Sequence, residues 1–186
     1  MHTKMKIWIF IGRMQPLHLW HQKIITESIS NNDFTFIMLW SSWIINEYNP
    51  FTDIERKNFI ENIFEENKNK YEIINLADSE SDEKWVKNIE KIVKYNINKK
   101  EESVTFYGWD FENDYAIKVI KQYEDIIEFS NINYREISRK NIYADYKWEK
   151  IYISSTLVRE SLIKKDLEIL KILLDERVFK LLLEKI

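Results

Sequence analysis

Short apolar runs rich in β-branched and aromatic residues alternate along this chain with segments of helical period, and this alternation limits the fold more than any other feature. "KIWIFIG" (Lys6–Gly12), "DFTFIMLW" (Asp33–Trp40), "YEIINL" (Tyr71–Leu76) and "SVTFYG" (Ser103–Gly108) each read as a buried strand, and "DIIEFS" (Asp125–Ser130) reads as a fifth. Between them "HQKIITESIS", "FTDIERKNFIENIF", "SDEKWVKNIEKIV" and "NDYAIKVIKQY" read as helices. Thr52 and Glu55 stand at capping-box spacing, which starts the second helix at Thr52. Trp85, Ile89 and Ile92 fall on one face of the third. From Ser155 onward the chain reads as helical, ending in the amphipathic "ERVFKLLLEKI". The pattern predicts an α/β fold: a Rossmann-like doubly wound parallel sheet of about five strands, followed by a C-terminal helical segment. No repeat or linker interrupts it, so residues 1–186 are expected to form one domain, with the helices from about residue 155 packing on it. Ligands of such sheets bind beyond the carboxyl ends of the strands, where strand order reverses.

The chain holds two glycines, Gly12 and Gly108. Each ends a predicted strand that would border such a crevice, and a chain this poor in glycine is expected to keep each one where a side chain is not tolerated. With no cysteine there is no disulfide, no thiolate metal site and no cysteine nucleophile. A formal charge of −3 argues against a protein that coats nucleic acid, though it permits a local basic pocket. The run "IWIFI" is too short to span a bilayer and is followed by Gly-Arg rather than a small-residue cleavage site. The expectation is a cytoplasmic protein with no membrane partner. Apolar C-terminal helices and seven tryptophans leave room for a homo-oligomer.

Two of the three histidines, His18 and His21, lie three residues apart in "GRMQPLHLWHQ". Three helical residues advance by about 300°, so both imidazoles point within roughly 60° of each other. At the start of a helix they would add donors to an end whose N–H groups and dipole already favour an anion. A zinc site would need a third ligand, and the remaining histidine is His2; surface histidines without a role are the plain alternative. A phosphate cradle agrees with Gly12, Arg13, Pro16 and the helix start together. Near the other end, Ser154, Ser155 and Thr156 precede a helical run and supply hydroxyl caps, one of which can be spared for a phosphate. Arg159 stays close to that helix start and can lean over the same anion; a capped helix with a surface arginine is the alternative.

These residues carry a resemblance. "GRMQPLHLWH" resembles the G-R-x-Q-P-x-H-x-G-H signature of the HxGH nucleotidyltransferase superfamily, and more narrowly the archaeal-type nicotinamide mononucleotide (NMN) adenylyltransferases. "NPFTDIER" (Asn49–Arg56), "ADSESDEKWV" (Ala77–Val86) and "ISSTLVRE" (Ile153–Glu160) are similar to further motifs of that family, in the same order. The resemblance implies that NMN and ATP give NAD and pyrophosphate, with Mg²⁺ accompanying ATP. It implies catalytic roles for Arg13, His18, His21, Arg56 and Arg159. ATP would be held by Ile11, Gly12, Arg13, His18, His21, Ser154, Ser155, Thr156 and Arg159. NMN would be held by Ser42, Asp78, Trp85 and Gly108, with the indole of Trp85 stacked on the nicotinamide ring; a tryptophan on the apolar face of a helix is otherwise a core residue. The phosphate of NMN is already a nucleophile near neutral pH, so catalysis would rest on positioning and charge stabilisation.

The sequence departs from the family pattern in three places. Trp20 replaces the glycine of the histidine motif, projecting about 100° from His21 and about 160° from His18, either clear of the phosphates or over the ribose or adenine. Trp40-Ser41-Ser42-Trp43 replaces a Gly-Ser-Ala-Gln-like stretch, and Trp109-Asp110 replaces small polar residues. Two other readings therefore stay open: the same nucleotide site with another phosphorylated acceptor, and a sensor that binds ATP or NAD without turnover.

Overall fold

The structure, a computed structural model, describes residues 5–41, 43–96, 103–138 and 142–185. Ser42 and His2 lie outside the described residues. Five strands, β1 (Lys6–Gly12), β2 (Phe34–Trp40), β3 (Tyr71–Leu76), β4 (Ser103–Gly108) and β5 (Asn131–Glu136), form a parallel sheet in the order β3-β2-β1-β4-β5. Four helices connect them: α1 (Leu19–Asn31), α2 (Asp53–Ile63), α3 (Asp82–Asn96) and α4 (Tyr115–Gln122). Strand order reverses between β1 and β4, the strands that Gly12 and Gly108 end.

Burial on both faces explains why the strands read as continuous apolar runs. Along β1, Trp8 and Phe10 enter one core with α1, α2 and the C-terminal helices, while Ile7, Ile9 and Ile11 enter a second with α3 and α4. The capping box forms as its spacing predicts: Thr52 caps α2, accepting from the Glu55 N–H, and the Glu55 carboxylate accepts from the Thr52 N–H. A buried hydroxyl pair, Ser28 and Thr35 at 2.6 Å, satisfies two polar side chains between α1 and β2.

One expectation fails. "DIIEFS" is not a strand: Glu124–Ile126 is a short 3₁₀ helix, and the fifth strand is the next segment, Asn131–Glu136. At the sheet edge it needs few apolar residues, and it has few. The sequence reading also missed an antiparallel hairpin, β6 (Tyr143–Tyr146) and β7 (Glu149–Tyr152). Its two-residue turn, Lys147-Trp148, takes positive φ at both positions (46° and 74°), the conformation normally signalled by Asn-Gly. After the hairpin, α5 (Ser155–Ile163), α6 (Leu167–Leu173) and α7 (Glu176–Leu183) close the first core. Arg177, at the start of α7, donates to the carbonyls of Asn62 and Ile63 at the end of α2, tying these helices to the sheet layer.

Candidate active site

A cavity of about 300 Å³ opens at the carboxyl ends of β1 and β4, the place that the strand order dictates. Its walls come from the β1–α1 loop, the last residue of β2, the β4–α4 connection and the first turn of α5.

His18 is the N-cap residue of α1, yet its side chain makes no cap hydrogen bond to the helix. Its Nε2 instead lies 3.0 Å from the Ser155 hydroxyl, 137 residues away in sequence. His21 stacks on His18 with ring centroids 3.9 Å apart and planes 24° apart, as the three-residue spacing predicts. One hydrogen bond thus joins the start of α1 to the start of α5. Neither helix has an acidic residue in its first turn, whereas α2, α3, α6 and α7 each do. No first-turn carboxylate offsets the positive ends of α1 and α5, which both face the cavity.

Ser154 caps α5 by accepting from the Leu157 N–H at 3.2 Å, which leaves the Ser155 and Thr156 hydroxyls on the cavity wall for other partners. Arg159 and Arg13 both line the cavity. Burial lowers the Arg159 pKa, the charge of Arg13 lowers it further, and Glu160 acts the other way. Two guanidinium groups are thus held close enough to repel, an arrangement that an anion between them would relieve.

Arg56 takes a different place from the one its motif implies. It is fully buried and does not line the cavity. Its Nη1 donates to the Arg13 carbonyl at 2.7 Å and the Trp40 carbonyl at 3.0 Å, bracing the ends of β1 and β2, while Nε and Nη2 have no hydrogen-bond partner among the described residues. Burial lowers its pKa, and Asp53 opposes the shift. The charge sits behind the loop that carries Arg13 and contributes potential rather than contact.

Of the residues implied for ATP, Ile11, Gly12, Arg13, His21, Ser154, Ser155, Thr156 and Arg159 line the cavity, and His18 lies directly behind Ser155. The residues implied for NMN are not gathered in the same way. Trp85 is 4% exposed, packed in the second core beneath Trp40 at a centroid distance of 5.7 Å, and Gly108 is buried; neither lines the cavity. Asp78 is exposed and accepts from the Trp40 indole N–H at 2.5 Å. Trp20 resolves inward: its indole is 1% exposed and packs edge-on against Phe10 in the first core, and it lines the cavity.

Two features escaped the sequence reading. Gln15 pairs its side-chain amide with the Phe51 backbone in both directions, at 2.9 Å each, stapling the β1–α1 loop to the "NPFT" motif. The glutamine was visible in "GRMQP", but nothing in the sequence named its partner. Met14, beside it, is held at φ 47°, which costs on the order of 1 kcal/mol and is maintained by the buried loop around it. The second feature is an aromatic wall of Trp40, Trp109 and Tyr115.

No family model matches the chain. A curated relative, the nicotinamide/nicotinic acid mononucleotide adenylyltransferase of Acinetobacter baylyi, is 23% identical over 179 residues, covering 95% of this chain and 91% of the relative. Among solved structures, a bifunctional NMN adenylyltransferase/ADP ribose pyrophosphatase from Francisella tularensis superposes with a TM-score of 0.64 at 22% identity over 87% of this chain. It has also been solved complexed with AMP and a manganese ion. The NadR protein in complex with NAD and AMP-PNP superposes with a TM-score of 0.67 at 19% identity over 95% of this chain. The chain spans less than half of either solved protein, 43% and 47%. These structures share the fold, and the sequence similarity that runs through nearly the whole chain is to a mononucleotide adenylyltransferase.

Proposed function

We propose that the chain is an adenylyltransferase that joins NMN and ATP into NAD and pyrophosphate. The observation that carries this reading is the His18–Ser155 hydrogen bond. It brings two separate anion-favouring helix starts to one cavity, with Arg13 and Arg159 on its walls. The order of the four sequence motifs, which is that of the archaeal-type enzymes, and the curated relative support NMN as the acceptor.

In the reaction an oxygen of the NMN phosphate forms a bond to the α-phosphorus of ATP while the bond from that phosphorus to the bridging oxygen of pyrophosphate breaks. The attacking phosphate carries its own negative charge, so no side chain needs to remove a proton. The work left to the protein is to align the two phosphates and stabilise the charge spreading over the oxygens. Arg13 and Arg159 meet the triphosphate from the cavity walls, and His18 and His21 add donors at the start of α1. Arg56 holds the Arg13 backbone in place. Mg²⁺ is read as part of the substrate, carried in on the ATP oxygens.

The test is to incubate the full chain with Mg²⁺ and ATP and to measure pyrophosphate and dinucleotide with NMN, nicotinic acid mononucleotide, phosphopantetheine and a sugar phosphate in turn. Release with NMN is expected. Release with another acceptor only, or tight ATP or NAD binding without any release, would replace this reading by one of its two rivals.

A further inference from the structure

The stretch "NPFTDIER" stands out in the sequence, yet none of residues 49–56 lines the cavity. Its backbone is turned toward the β1–α1 loop instead. Pro50 has no N–H to offer. The Phe51 N–H and carbonyl are both taken by the Gln15 side chain, at 2.9 Å each. The Thr52 N–H goes to the Glu55 carboxylate, and the Thr52 carbonyl accepts from the Arg56 N–H at 3.0 Å. Arg56 then returns to the same loop through its bond to the Arg13 carbonyl. The loop is thus pinned on either side of Met14: at Arg13 by Arg56, and at Gln15 by Phe51. Met14 between the pins is held at φ 47°, a conformation that persists only under such restraint. Gln15 is 1% exposed and Phe51 4%, so water does not compete for either bond between them.

We propose that Gln15 is a positioning residue of the phosphate site, fixing where the Arg13 guanidinium stands without meeting the ligand itself. Gln15 does not line the cavity, whereas Arg13 and Met14 do. Its two bonds to Phe51 run in opposite directions, so a residue in its place must both donate and accept at that reach, which the glutamine amide does. A backbone held at Arg13 and at Gln15 leaves Arg13 little but side-chain freedom. With the Gln15 pin gone, Met14 is free to leave its left-handed conformation and to carry Arg13 with it. An arginine that has to be ordered at each binding event contributes less, because part of the contact energy goes into ordering it. The proposal rests on the adenylyltransferase reading only in that Arg13 meets a phosphate.

The test is a double-mutant cycle on Gln15 and Arg13, read as the affinity of the full chain for Mg²⁺-ATP by titration calorimetry, with melting of each variant beside it. Gln15→Met keeps the length of the side chain and removes both bonds. It should weaken ATP about tenfold, as should Arg13→Ala, and the double variant should bind within about twofold of Arg13→Ala alone. Once the guanidinium is gone, nothing is left for the glutamine to position. A glutamine that shapes the site by a route other than Arg13 would give losses that multiply, to about a hundredfold in the double variant. Multiplied losses, or wild-type ATP affinity in either single variant, overturn the proposal. If Gln15→Met does not melt cooperatively, the cycle is read on Gln15→Asn, which keeps the amide but is one methylene too short to hold both bonds. The two readings fail separately. Losses that do not multiply, with no pyrophosphate released from any acceptor, keep the role of Gln15 and remove the transferase. Pyrophosphate release with NMN alongside multiplied losses does the reverse, and a wild type that binds no ATP removes both.

Discussion

Replacing either glycine by alanine adds one methyl group to the end of a central strand, and the two strand ends receive it differently. At Gly108 the new carbon would stand 2.5 Å from Ile117 Cγ1, 3.0 Å from Asp114 Oδ2 and 3.2 Å from Phe111 Cε1. Asp114 caps α4 and Ile117 is in its first turn, so the methyl is seated only if these side chains or the start of that helix give way. Overpacking of this kind costs roughly 1–3 kcal/mol. In a chain of this length each kcal/mol lowers Tm by about 2–4 °C, so Gly108→Ala should melt about 2–12 °C below wild type. At Gly12 the nearest atoms would be 3.5 to 3.7 Å away, ordinary contact distances. Glycine within a strand is about 0.5–1 kcal/mol less favourable than alanine, so Gly12→Ala should melt within about 3 °C of wild type or slightly above it. Protein packing therefore does not explain the glycine at position 12. If a nucleotide lies against that stretch of backbone, the methyl occupies its space, and ATP affinity should fall at least about tenfold. Calorimetric melting and ATP titration of both variants check the pair. Wild-type ATP affinity in Gly12→Ala would refute the placement of the nucleotide, and an unchanged Tm in Gly108→Ala would refute the packing estimate.

His18→Ala should lower kcat about a hundredfold while the NMN binding constant moves less than about threefold, because the imidazole serves charge that develops during transfer; steady-state kinetics beside calorimetry separate the two, and wild-type turnover would take His18 out of the chemistry. Arg159→Ala should lower kcat/KM for ATP by about 10²–10³-fold, with partial recovery in Arg159→Lys, a charge without the planar fork; indifference to the substitution would place the triphosphate elsewhere. Asp175 should make stability acid-sensitive. Its bond to Arg177 holds its pKa at about 2 against the ordinary 3.8, burial opposing. A depressed pKa contributes stability above the unfolded value that is lost as pH falls through the folded one, here between about 4 and 2. Urea unfolding at pH 5 and 2.5 should show about 1.5 kcal/mol of that loss missing in Asp175→Asn.

Where local chemistry decides the outcome, the sequence was legible. The limits of β1, β3 and β4 follow from apolar runs that end in turn residues, and the start of α2 follows from Thr52 and Glu55. That the two imidazoles meet follows from their three-residue spacing at a helix start. The failures share a physical reason: the deciding partner is remote. "DIIEFS" is the more apolar segment, yet β5 pairs with only one neighbour and can be polar. The β6–β7 hairpin carries Lys-Trp where its turn geometry normally selects Asn-Gly, so its strongest local signal is missing. Arg56 reads as a helix arginine, and its burial under two strand-end carbonyls becomes visible only when β1 and β2 are side by side. Trp40 was noted as a departure from a motif. That it screens Trp85 and shares a wall with Tyr115 depends on where α3 and α4 cross the sheet.

The hydrogen bond from His18 to Ser155 has a consequence for how the molecule is made. During synthesis His18 emerges 137 residues before Ser155, and the opposite half of its grip does not exist until that stretch has been added. A nucleotide that engages both halves then acts as a clasp between two parts of the protein made well apart in time. At a hundred times its dissociation constant such a clasp adds about 2.7 kcal/mol to the folded state. That gain is a sizeable fraction of the roughly 5–15 kcal/mol that holds an ordinary domain together. If the proposed function holds, the nucleotide around the molecule is also a stabilising component of its fold.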